Sequence, residues 1–233
     1  MRNVVGSILT GTLIAWSLGA SAFALQFDSD VPTDIQAQMA ADLDFIGGLQ
    51  GAAATPLHHQ IFGNVDGAGY RSWFETRVTH VGLSGCGDSG AVACVMPIPF
   101  AQYFGGTHKM SISQNYIQFS HPAIARLMVV YHEARHTEDA QHNWPHADCP
   151  SPFVDANGND MKSIWTGLPL AREPACDTTP LGSYGSSTIL LKNISKNCTN
   201  CTDKVKADAE LYSDDQLGRM LGPAKDAIRR DAF

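Results

Sequence analysis

The sequence predicts an α+β domain, stabilised by disulfides and helical towards its C-terminus. Three observations carry this expectation. Alternating stretches of β-forming residues lie in the first half. Apolar residues recur at helical spacing on either side of them. Six cysteines, an even number, are spread over the chain from Cys86 to Cys201.

The first 24 of the 233 residues are set apart by their pattern. Arg2 opens the chain with a positive charge, residues 4–18 are mostly apolar, and Ala22-Phe23-Ala24 has the small-x-small form that signal peptidase accepts. The apolar run is short for a membrane anchor and rich in Gly, Ser and Thr. A signal peptide cut after Ala24 is therefore expected, giving a secreted or periplasmic protein that is free of the membrane after cleavage. Residues 25–233 show no repeat, linker or low-complexity tract and read as one domain. Residues 25–50 form either a short pro-segment or an N-terminal helix.

The net charge of −7 argues against nucleic acid or an anionic membrane as partner. In an oxidising compartment the six cysteines imply three disulfides, for which sequence alone allows about fifteen pairings. Cys86 and Cys94 bracket "GDSGAVA", which reads as a clipped loop rather than a serine nucleophile. Cys149 and Cys176 flank a loop-rich segment, and "CTNC" at Cys198–Cys201 reads as structural.

Thr33 caps a helix with Ile35, Met39, Leu43 and Ile46 on one face, stopped by Gly47-Gly48. The alternation of "YRSWFETRVTHVGL", residues 70–83, predicts a strand, and "HKMSISQNYIQFS", ending at Phe119, one or two more. Ser120 and Pro122 then open a helix with a stripe of Ile124, Leu127, Met128, Tyr131 and Ala134. Residues 143–180 are irregular. Helices are expected again over 186–196, 203–212 and 213–221, the last introduced by the capping box "SDDQ".

The predicted central helix contains His132-Glu133-Ala134-Arg135-His136, the HExxH pattern. Histidines four apart share a helix face, so two imidazoles can hold one zinc ion. Glu133, beside the first ligand, reaches water rather than the metal and suits a general base. The strand-plus-helix unit resembles the zincin metallopeptidases. That resemblance implies a twisted sheet whose edge strand runs beside the HExxH helix, with extended substrate against the edge. "NYIQFS" or "HKMSIS" would be that strand.

The spacing favours His142 as third ligand, because it stands ten residues after His132, as in the metzincins. Asp139 occupies the place where metzincins turn at Gly or Asn, and Met161 is the one methionine soon afterwards. "CDTTPLGSYG" and the later "VKADAELY" resemble the aspzincins, which implies Asp177 as ligand and Tyr184 as oxyanion holder. "EPACD" offers Glu173 in the manner of the gluzincins, and His146 reaches the metal if the chain turns at Pro145. Glu138 and Asp139 are either acceptors for ligand N–H groups or a solvated helix end. His58, His59, His80, His108 and His121 show no ligand spacing.

Together these residues imply an exported zinc endopeptidase acting on protein or peptide substrates. Its catalytic residues would be Glu133 and Tyr184, its zinc ligands His132, His136 and His142. Two other readings remain open: a zinc-binding protein of this fold without proteolytic activity, and a disulfide-rich secreted binding protein with a structural metal. Oligomeric state is not legible.

Overall fold

A computed structural model describes residues 25–51, 55–63, 66–83, 86, 90–97 and 108–232. The expected signal peptide and the first three residues of the "GDSGAVA" loop lie outside them. The fold is α+β. Four strands, β1 (Gln26–Phe27), β2 (Val78–Leu83), β3 (Ala93–Pro97) and β4 (His108–Ile112), form one mixed sheet in the order β1-β2-β4-β3. β1, β2 and β4 run parallel, and β3 pairs antiparallel with β4 at the end of the sheet.

Eight α-helices are present among the described residues: α1 (Thr33–Gly47), α2 (Pro56–Phe62), α3 (Gly67–Glu75), α4 (Gln114–Gln118), α5 (Ala123–Arg135), α6 (Ser183–Asn197), α7 (Asp203–Gly218) and α8 (Gly222–Ala232). α5 is the hub, packed against α1, α6, α7 and β3. Its predicted stripe is buried, and so is nearly every other residue from Ile124 to Arg135. A helix covered on several sides no longer needs a polar face. α1 forms with Ile35, Met39, Leu43 and Ile46 in the same core, as expected, but Pro32 stands at its cap and Thr33 is its first helical residue. No helix of the described residues is long and apolar enough to cross a membrane.

Three expectations are corrected. The strand predicted from Tyr70 begins only at Val78, because residues 67–75 are helical. Tyr70, Trp73 and Phe74 stand at i, i+3 and i+4, and all three are buried. "NYIQFS" is not a strand either: Ser113 accepts from Asn115 N and caps α4, while "HKMSI" forms an inner strand. Of the two edge strands, β1 and β3, it is β3 that packs against α5. Finally, "SDDQ" starts no helix. Ser213 lies buried inside α7 and donates to Thr188 O, so α7 runs unbroken through both predicted segments.

Three disulfides join Cys86–Cys94, Cys149–Cys176 and Cys198–Cys201, as suits an extracellular or secreted protein. The second staples a small satellite core of Cys149, Phe153, Leu170 and Cys176. Met161 packs into that cluster, with its methyl over Gly218.

Candidate metal centre

Residues after His136 decide which third histidine joins the pair. The chain leaves α5, makes a short 3-10 turn at Asp139–Gln141, and then holds His142, Asn143 and Trp144 at φ 53°, 60° and 47°. Three successive left-handed residues reverse the chain, a conformation that costs non-glycine residues free energy. Glu138 holds the reversal in place. Its Oε2 accepts from Trp144 Nε1 at 2.9 Å, while Oε1 accepts from Arg77 and Arg135. Glu138 thus serves the turn, not a ligand N–H.

The result corrects the favoured ligand. His142 caps the 3-10 turn and is exposed. His146, just beyond Pro145, is delivered to the helix instead. Its Nε2 lies 3.1 Å from Nε2 of His132 and 3.1 Å from Nε2 of His136. The potential ligand atoms of these three residues lie within 4.8 Å of one another and could hold a metal ion. Two imidazole nitrogens on one tetrahedral zinc, each bonded at about 2.0–2.1 Å, would stand about 3.3–3.4 Å apart.

The outer partners fix which nitrogens face inward. His136 Nδ1 donates to Asn143 O at 2.7 Å, and His146 Nδ1 to Asp177 Oδ1 at 2.8 Å. With Nδ1 protonated, the Nε2 of each neutral ring presents a lone pair. A metal ion between these nitrogens would take up such lone pairs. Burial, with the neighbouring histidines as further causes, pushes His132 well below the usual imidazole range and His136 down to about 4. His132 and His136 are therefore kept neutral, the form that binds metal.

Asp177, an expected ligand of the aspzincin type, stands one shell out. Its Oδ1 orients His146, and its Oδ2 accepts from Tyr184 N at 2.9 Å, capping the start of α6. Gly182 makes room for this: a Cβ there would lie 2.4 Å from Asp177 Oδ2. Gly185 is likewise required, since its Cβ would meet Pro180 O at 2.1 Å. Tyr184, between them, packs its ring against His132 and His146, at centroid distances of 4.4 and 4.7 Å. Its hydroxyl accepts from Arg219 Nη1 at 2.9 Å.

Glu133 is buried, and burial alone raises its carboxyl well above the usual range. It lines a cavity of about 430 Å³ together with His132, His146, Tyr184 and Arg219. Gly90–Ala93, leading into β3, forms one wall of the cavity, and the segment around Trp165 and Leu170 another. Glu173 reaches its rim as an exposed side chain and is not among the clustered ligand groups. Arg219, absent from the sequence reading, carries no local motif and reaches the site only through the packing of α6 on α7. No protein-family model matches the chain, and neither a curated protein nor a solved structure is similar to it.

Proposed function

We propose that the protein is an exported zinc endopeptidase of zincin type. The observation that carries this reading is the convergence of the Nε2 atoms of His132, His136 and His146 beside a cavity lined by His132, His146 and the buried carboxyl of Glu133. A three-histidine set suits zinc and leaves a coordination position free, as catalytic sites require. Bound zinc supplies Lewis acidity, acidifying water and polarising a carbonyl.

The chain's own groups do the rest. Glu133 takes the proton of the attacking water on its carboxylate and passes it to the leaving amine. Burial favours the protonated form that this transfer creates. Tyr184 accepts its hydrogen bond from Arg219, so its own hydroxyl proton is free to be donated to the developing oxyanion. β3 ends the sheet beside the site, and a peptide in extended form can pair along it.

Metal analysis combined with casein hydrolysis tests this on the mature protein. Wild type should bind about one zinc per chain and cleave. Glu133→Ala should keep the metal and lose a factor of about 10²–10⁴ in rate. Bound zinc without Glu133-dependent cleavage would refute the peptidase reading.

A further inference from the structure

Arg219 is 7% exposed, and its guanidinium is poorly satisfied. It carries five N–H donors and keeps its proton at all ordinary pH values. Among the described residues, the hydrogen bond from Nη1 to Tyr184 is the one that it forms. Nε is buried without a hydrogen bond, and its ion pair with Asp215 Oδ2 is long, at 3.6 Å. Asp215 in turn accepts from Gln216 Nε2, and Gln216 Oε1 accepts from Ser187 Oγ. Asp215, Gln216 and Ser187 are thus engaged with one another, and Arg219 brings charged spare donors to the lining of the cavity. Buried donors without acceptors are costly unless a ligand brings the acceptor.

Apolar side chains line the same cavity, among them Met128, Trp165 and Leu170. We propose that the cavity selects substrates that carry a carboxylate. Arg219 receives that carboxylate, and Met128, Trp165 and Leu170 pack against the apolar part of the same residue. The inference rests on the peptidase reading only for its meaning in cleavage. There the carboxylate adjoins the scissile bond, either as an acidic side chain or as the chain's own C-terminus.

Calorimetry with 3-phenylpropanoate and 3-phenylpropanamide tests the pocket directly, in metal-free protein so that no metal can attract the acid. The carboxylate should bind about tenfold tighter or more, as a charge-assisted hydrogen bond implies. Arg219→Gln should abolish the preference and Arg219→Lys restore part of it. In wild type, the side-chain NMR signal of Arg219 should shift with the acid and not with the amide. Equal binding of the two compounds, or a preference that survives in Arg219→Gln, would overturn the proposal.

With metal restored, amidated peptides differing as Glu or Gln, and free-acid against amidated forms of one peptide, identify the source of the carboxylate. A preference in either pair supports the proposal, and cleavage indifferent to both contradicts it. No cleavage at all counts against the peptidase reading, and the binding result then decides the pocket.

Discussion

His146 Nδ1 and Asp177 Oδ1 lie 2.8 Å apart, joining two segments 31 positions apart in the chain. Because the other oxygen of Asp177 caps α6 at Tyr184 N, one carboxylate orients a candidate ligand and anchors the C-terminal helices. Asp177→Asn removes the charge and keeps the shape. It should lower metal affinity about ten- to a hundredfold, read by competition with a coloured chelator. Unchanged affinity would show that Asp177 does not tune the site.

Gly182→Ala should reproduce much of that loss without touching a ligand. The added Cβ would approach Asp177 Oδ2 to 2.4 Å and push the carboxylate off His146. The same competition titration measures it. An alanine variant with wild-type affinity would mean that the carboxylate can shift without consequence.

The Cys149–Cys176 bridge closes a loop with a sequence separation of 27 and ties together the hydrogen-bonded segments 147–149 and 172–176 beside His146 and Asp177. The double variant Cys149→Ser, Cys176→Ser should lose about 3 kcal/mol of stability, measured by urea unfolding. It should also bind metal more weakly, because the backbone that carries both groups is no longer stapled. Full metal affinity in a destabilised variant would separate the staple from the site.

Much of the site is written locally. Two histidines and a glutamate within five residues need only a helix to share a face, and Ile124, Leu127, Met128, Tyr131 and Ala134 announce that helix. The third histidine is set otherwise. Counting positions favours His142, but Asn143 and Trp144 follow it into left-handed backbone, held by Glu138 just after α5 and its partner Arg77 before β2. That long-range contact moves the ligand position to His146, and no spacing rule contains it. The strand misread at Tyr70 has a similar cause. "YRSWFE" fits an alternating pattern and a helical one, and packing of Tyr70, Trp73 and Phe74 into the core selects the helix. Arg219 was invisible because only tertiary packing brings α7 to the cavity.

Away from the metal, His58 is fully buried between Tyr70 and Asn193, and burial lowers its pKa from 6.5 to about 4. Its folded pKa is depressed, so the unfolded chain takes up the proton first. The stability held by neutral His58 is complete above pH 6.5 and is lost as pH falls through about 4, at most about 3 kcal/mol for such a shift. Urea midpoints followed from neutral pH to about pH 4 should fall less steeply in His58→Gln than in wild type. Parallel profiles would assign the acid sensitivity to other groups.

Zinc stoichiometry of wild type, His142→Ala and His146→Ala, measured side by side after dialysis against a mild chelator, bears most directly on the proposed centre. Wild type and His142→Ala should each retain about one zinc per chain, and His146→Ala should retain almost none. Loss of zinc in His142→Ala with retention in His146→Ala, or no stoichiometric metal in wild type, would contradict a centre built from His132, His136 and His146.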